Sequence, residues 1–224
     1  MATYVLLHGA GGDRWYWHLV IPRLEALGHE AIAIDLPCDD DRAGLEDYVQ
    51  AVVDAVGHRR DVVLVAQSLA GFTAPVVCTR LPVSLLVLVA AMVPRPGESA
   101  GAWWSDTGHV FPDPFDPGAV FTHDLPPEIA EQSAHHLRRQ SDTFFADPWP
   151  LERWPDVPTR FVLCRDDRFF PADFMRRLVD ERLGIEPDEL GSGHLPALAQ
   201  PGRLVELLER FRLEALSRQD ETTA

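Results

Sequence analysis

Ser68 lies in Val63-Leu64-Val65-Ala66-Gln67-Ser68-Leu69-Ala70-Gly71-Phe72, an apolar, β-branched run that ends as a helix start. A serine lifted out of the backbone on a sharp strand-to-helix turn is a nucleophile elbow, usually written G-x-S-x-G. Here the small flanking residues are Ala66 and Ala70. The turn strains the serine, so its neighbours must be small, and alanine meets that demand less comfortably than glycine. The same string also suits a serine that caps a helix after a buried strand. Ser68 therefore gains meaning only if the chain supplies a base, an acid and an oxyanion site.

Three other stretches can supply them. A serine hydroxyl is a poor nucleophile until a base takes its proton. His194 stands after a short strand near Glu189-Leu190, between Gly193 and the Leu195-Pro196 that opens the last helix. It can act as base and later as the acid that protonates the leaving group. Asp166 and Asp167 follow an apolar run, and either could fix the imidazole tautomer. His8-Gly9-Ala10-Gly11-Gly12 follows the first strand. Backbone N–H groups of Ala10 and Leu69 would form an oxyanion hole, and Gly9 lets that loop approach closely. A dinucleotide site is disfavoured, because glycines at 9, 11 and 12 do not give G-x-G-x-x-G. His8 is read as shaping the loop. His18, His29, His58, His109, His123, His135 and His136 are read as packed or exposed, and no Cys/His spacing suggests a metal.

The elements that must position these residues alternate. Strands are predicted at Tyr4–Leu7, Glu30–Leu36, Asp61–Ala66, Val83–Val93, Thr159–Cys164 and near Glu189-Leu190. Helical spacing fills Trp15–Leu27, Leu45–Val56, Leu69–Leu81, Pro171–Leu183 and Pro201–Leu216, with Gly28 and Gly57 as stops. Near-continuously apolar strands alternating with helices imply an α/β fold, a parallel sheet covered on both faces. The chemistry then belongs in the crevice beyond the carboxyl ends of the strands. The rhythm breaks over residues 95–157, rich in Pro, Gly, Asp and aromatics, with one helical stretch at Pro126–Gln140. The expected division is a core of 1–94 and 158–217, a lid of 95–157 and a flexible tail of 218–224. Trp103, Trp104, Phe111, Phe144 and Phe145 are the lid residues expected to line an apolar pocket.

Composition narrows the partners. The 224 residues carry a formal net charge of −15, and no lysine. Such a surface repels phosphate backbones, so no nucleic-acid partner is expected. The three cysteines are odd in number and widely spaced, as suits free thiols in a reducing cytoplasm. The longest apolar run, Leu85–Val93, is too short to span a bilayer, and the N-terminus enters a strand pattern without a signal-peptide profile. No membrane association is expected.

Taken together, the chain resembles the α/β-hydrolase superfamily across nearly its whole length, with the order Ser, Asp, His that this fold uses. It is most similar to the small methylesterase and hydroxynitrile-lyase-like branch. The carrying residues are Val5-Leu6-Leu7-His8-Gly9-Ala10, Trp15-Tyr16-Trp17, Pro22 to His29, Asp35-Leu36-Pro37, Asp166 to Pro171 and Gly193-His194-Leu195-Pro196. In that branch the acid is the aspartate a few residues before the Phe-x-Pro segment, which favours Asp167. Its lyases resemble a template with Thr at the place of Gly9 and Lys at the place of Leu195. The resemblance thus implies a cofactor-free serine esterase acting on a small or medium apolar carboxylic ester. Alternatives on the same triad are a lyase, a lactone or C–C bond hydrolase, or a ligand-binding receptor with vestigial turnover.

Overall fold

The computed structural model describes the backbone of residues 1–223 and the side chains of residues 1–218. Six strands form one sheet: β1 (Thr3–Leu7), β2 (Glu30–Ile34), β3 (Val62–Gln67), β4 (Val83–Val89), β5 (Thr159–Cys164) and β6 (Asp188–Leu190). Their order is β2-β1-β3-β4-β5-β6, and every pairing is parallel. Alternate residues feed two apolar clusters. Val5, Leu7, Leu64, Leu86 and Leu88 point to one face. Tyr4, Leu6, Val63, Val65 and Val87 point to the other. Both faces are buried at the centre of the sheet, so β1, β3 and β4 carry no polar face and read as near-continuous apolar runs.

Helices α2 (Leu45–Val56), α3 (Ala74–Val77) and α8 (Ala172–Leu183) cover the first cluster. Helices α1 (Ile21–Ala26), α9 (Pro196–Ala199) and α10 (Pro201–Thr223) cover the second. Two expected helices are broken, both by proline. The Trp15–Leu27 stretch splits into a 3-10 turn (Arg14–Trp17), capped where Asp13 accepts from Trp15 N–H, and α1, which restarts with Pro22 in its first turn. The Leu69–Leu81 stretch splits into a 3-10 turn (Ser68–Gly71) and α3, with Pro75 in its first turn. Proline lacks the N–H that a helix interior needs, so the helix must begin there. Strand β4 ends at Val89 rather than Val93, because Ala90 takes φ of 42°. The expected tail is helical as far as Thr223, and its side chains from 219 onward lie outside the described residues.

The 95–157 segment holds four short helices rather than one: α4 (Ala100–Thr107), α5 (Pro117–Phe121), α6 (Pro127–Ala134) and α7 (Thr143–Ala146). Ser99 caps α4 and Asp116 caps α5 through their side chains. Helix α6 stops at Ala134 because the chain beyond it must bond to the core. Arg138 N–H donates to Gly11 O at 2.7 Å and Ser141 N–H to Cys38 O at 2.6 Å. Arg138 and Arg139 pair with Asp39 and Asp41, so the acidic run 39–41 receives this segment rather than only facing solvent.

Candidate active site

The sheet order makes β1 the point where the chain stops adding strands on one side and starts on the other. Leu7 of β1 pairs with Ala66 of β3, so the two following loops leave the sheet side by side. That crevice is the expected ligand site of an open parallel sheet. Ser68 emerges there with φ of 53°, a left-handed conformation that is strained for any residue with a side chain. Its carbonyl accepts from Met92 N–H at 3.0 Å, which locks the turn to the loop after β4.

The residue that makes this elbow possible is not one of the flanking alanines. A Cβ on Gly71 would lie 1.9 Å from Met92 O, so only glycine fits there. Gly9 is constrained too: a Cβ would stand 2.8 Å from Ser68 Cβ, and 2.4 Å from Gln67 Oε1, which would have to move. The first loop therefore lies against the elbow itself.

Three loops converge on Ser68. His194 Nε2 lies 3.1 Å from Ser68 Oγ, and His194 Nδ1 lies 2.7 Å from Asp167 Oδ2. The other oxygen of Asp167 accepts from Phe169 N–H at 2.8 Å and Phe170 N–H at 3.0 Å. Asp167 is thus a buried carboxylate with both oxygens engaged and one aimed at the imidazole. Asp166 turns outward, 3.9 Å from Arg165, and its N–H holds Ser192 O at 3.0 Å. Of the two neighbours only Asp167 meets His194. Such a chain can deprotonate a hydroxyl and stabilise the imidazolium that forms. Ala10 and Leu69 both line the same pocket, Leu69 directly after Ser68 at the head of the 3-10 turn.

Neighbouring groups keep the site's other protons in place. His8 receives Leu36 N–H on Nε2 at 3.1 Å and faces Gly9 O with Nδ1 at 2.8 Å. Burial lowers its affinity for a second proton, so it stays neutral and shapes the loop. Burial also raises the Cys164 thiol well above its ordinary range, so it does not compete as a nucleophile.

The pocket over Ser68 has a volume of about 540 Å³. Trp104 and Phe145 line it, as expected from their place in the 95–157 segment. Trp103, Phe144 and Phe111 do not. Trp103 is fully buried and donates from Nε1 to Val93 O at 3.0 Å, and Phe144 packs on Tyr48 in the core. Phe111 stays half exposed against Trp104 and His109. Adjacent aromatics on a helix face in different directions, so Trp103-Trp104 and Phe144-Phe145 each send one ring to the core and one to the pocket. Phe121 and Phe169 complete the wall beside His194, at ring distances of 5.3 and 5.5 Å. A larger, more open groove at the opposite end of the sheet, lined by Val157, Arg160 and Phe211, carries no serine or histidine among the described residues.

Sequence reasoning missed the residues that hold the loops together. Gln67 Nε2 donates to His194 O at 3.1 Å, tying the elbow to the base. Gln140 Oε1 accepts from Gly11 N–H at 3.1 Å, tying the 95–157 segment to the first loop. Asp124 Oδ2 accepts from Gly193 N–H at 2.6 Å. Gln67 was findable from its place inside the elbow; the other two sit in no local motif.

Known proteins share this architecture. A probable esterase, PIR7A, from Oryza sativa subsp. indica is 27% identical, over 93% of this chain and 95% of its own length. Methylesterase 7 from Arabidopsis thaliana is 26% identical, over 92% of this chain and 94% of its own. The crystal structure of polyneuridine aldehyde esterase superposes with a TM-score of 0.80 at 21% identity, covering 94% of this chain and 98% of that one. A pyrethroid hydrolase from Sphingobium faniae JZ-2 gives 0.77 at 23% identity, covering 94% and 97%. A sequence model described as the alpha/beta hydrolase family matches residues 4–207, and with that match, the Ser–His–Asp relay and the sheet order all in agreement, the chain belongs to that family.

Proposed function

We propose that this protein is a cofactor-free serine hydrolase that cleaves a small or medium, uncharged carboxylic ester through an acyl-enzyme. The observation that carries the reading is the relay from Ser68 Oγ through His194 to the buried Asp167 carboxylate, at 3.1 and 2.7 Å. Ser68 Oγ attacks the ester carbonyl as His194 Nε2 takes its proton. The N–H groups of Ala10 and Leu69 hold the negative oxygen of the tetrahedral intermediate. Collapse breaks the C–O bond, and His194 returns the proton to the departing alcohol. Water then repeats the sequence on the acyl-serine and releases the acid. Esterases and a methylesterase among the relatives support ester cleavage.

The uncharged substrate follows from the walls, whose one carboxylate, Asp13, is already engaged by Trp15 N–H and His136. Neither arginine nor lysine lines the pocket. Arg138 and Arg139, the nearest basic pair in sequence, are committed to Asp39, Asp41 and the carbonyls of Leu36 and Asp39. A carboxylate drawn into an apolar site without a counter-ion carries a large desolvation cost. The lyase alternative loses support at Gly9, which offers no hydroxyl and where a side chain would start 2.8 Å from Ser68 Cβ.

In this reading residues 1–94 and 158–217 are the catalytic core and 95–157 the lid. Cys38, Cys78 and Cys164 are free and buried, which fits a reducing compartment such as the cytoplasm. Among the described residues, no helix is long and apolar enough to cross a membrane.

The test is labelling with a fluorophosphonate probe, followed by p-nitrophenyl esters of increasing acyl length. Ser68→Ala should abolish labelling and reduce kcat by about four orders of magnitude or more. Wild-type turnover by Ser68→Ala on its best ester would overturn the mechanism.

A further inference from the structure

The turn that presents His194 is held at every residue, and one of its holds comes from outside the core. Ser192 O accepts from Asp166 N–H at 3.0 Å. His194 O accepts from Gln67 Nε2 at 3.1 Å. Between them, Gly193 N–H donates to Asp124 Oδ2 at 2.6 Å, and Ser192 Oγ reaches the same oxygen at 3.2 Å. Asp166 belongs to the loop after β5, and Gln67 is the last residue of β3. Asp124 lies 69 positions earlier than Gly193, in the turn between α5 and α6.

We propose that Asp124 is a positioning residue for the catalytic histidine: a lid carboxylate that fixes the Ser192–His194 turn, so that the base meets Ser68 Oγ only when the lid is docked. This rests on the serine-hydrolase reading of the relay.

Three features of the site lead there. First, the contact is close and charge-assisted, the stronger class of hydrogen bond. It also leaves no slack, since a Cβ on Gly193 would lie 2.6 Å from Asp124 Oδ1 and 2.8 Å from His123 Cε1. A side chain at 193 would therefore displace the Asp124 carboxylate and the His123 ring from their places in this lid turn.

Second, Asp124 is a poor choice for stability alone. Its Oδ1 is buried with no hydrogen-bond partner, a cost that an apolar residue would avoid. A residue that breaks a local rule in this way marks a place where something other than packing is being served.

Third, the turn carrying it is anchored on both sides. Leu125 is buried in the apolar cluster against α1 and α10, and its N–H closes the turn onto Thr122 O at 3.1 Å. On the other side Phe121 sets its ring 5.3 Å from the His194 ring, and Arg168 Nη1 holds Ala119 O at 2.9 Å. The carboxylate thus transmits the position of the lid to the backbone of the base. A shift of an ångström at a catalytic group costs about 100-fold in rate.

The experiment compares Asp124→Ala and Asp124→Asn with wild type. Each is measured for kcat and KM on p-nitrophenyl butyrate, for the second-order rate of Ser68 labelling by a fluorophosphonate, and for Tm. Asp124→Ala should lose about 10- to 100-fold in kcat and in labelling rate, with KM within about twofold. Asp124→Asn keeps an oxygen for Gly193 N–H and should recover to within about threefold of wild type. Rates normalised to the fraction still folded remove any loss from instability. Asp124→Ala at wild-type rates after that correction overturns the proposal. So does an equal loss in both variants, which would make the charge rather than the hydrogen bond the active feature. The labelling rate needs only an activated Ser68. If wild type labels but turns over no ester, the ester reading fails while the Asp124 comparison still stands or falls on labelling.

Discussion

The floor and the roof of the pocket are built on different terms. The floor is the carboxyl edge of the sheet, where backbone geometry leaves almost no choice of residue. Ser68 sits at φ of 53°, Gly9 lies tight against Ser68 Cβ, and Gly71 has no room for a side chain against Met92 O. The roof, residues 95–157, adds only a few backbone bonds to the core, from Arg138 and Ser141, and is otherwise held by side chains. Glu98 pairs with Arg182 inside the protein, both nearly inaccessible to solvent. Asp147 accepts from Leu45 N–H at 2.7 Å and so caps α2. Gln140 and Asp124 reach the first loop and the base loop. A floor fixed by backbone strain keeps its shape under most substitutions, whereas a roof fixed mostly by side chains can be loosened one contact at a time. The difference teaches that the roof is not a detachable cover: its tethers end on the same loops that carry the chemistry.

The sharpest way to break this comparison lies wholly within the floor. If only the sheet-edge geometry selects the acid, two neighbouring carboxylates must behave oppositely. Asp167→Asn should reduce kcat by about 10³- to 10⁴-fold, because the imidazole loses the partner that fixes its tautomer. Asp166→Asn should stay within about threefold, since the bond from this residue to Ser192 O is made by its backbone N–H. Steady-state kinetics on one ester decide it, and the reverse order would move the acid to Asp166.

A smaller effect separates the two sides of the roof. Phe144→Ala should destabilise the fold by about 3–5 kcal/mol, as a buried aromatic truncation does, with kcat on a short ester nearly unchanged. Trp104→Ala should do the converse: a modest loss of stability and about a tenfold change in the preference for acyl-chain length. Denaturant melts beside a chain-length series test the pair. Equal effects on both readouts would mean that the roof rings are not divided between core and pocket.

That division also explains what was legible in the chain. Period and spacing carried the sheet and most helices, because the inner strands β1, β3 and β4 are buried on both faces and stops such as Gly28 and Gly57 are glycines. Ser68, His194 and Asp167 fell into view because every one of them follows a strand whose end is marked. The roof gave no such signal. Its helices are five to eight residues long or shorter, too short for a periodic stripe, and their ends are set by caps and by bonds to Gly11 and Cys38. Which of two adjacent rings faces the pocket depends on tertiary docking, which spacing does not encode. Asp124 is the extreme case: an aspartate in an unremarkable turn, given a role only by what stands 69 positions away.

The smallest effect compares one buried histidine from each side. His8 in the floor and His109 in the roof are both driven below their ordinary pKa by burial. A histidine kept neutral by the fold binds fewer protons folded than unfolded, so its contribution to stability is complete above the unfolded value near 6.5 and is lost as pH falls below it. His8→Gln and His109→Phe should each flatten the decline of Tm between about pH 7 and pH 5. The two differ in what else they move. Protonated His8 can no longer accept Leu36 N–H on Nε2, and its ring sits 3.3 Å from the space beside Gly12, within the loop that presents Ala10. His109 bonds Phe169 O at 2.7 Å within the aromatic cluster, away from that loop. Relative to wild type at each pH, the labelling rate of Ser68 should therefore change more with His8→Gln than with His109→Phe, since His109 reaches Asp167 only through Phe169. Equal sensitivity in the two variants would mean that the aromatic roof governs the oxyanion loop as directly as the floor does.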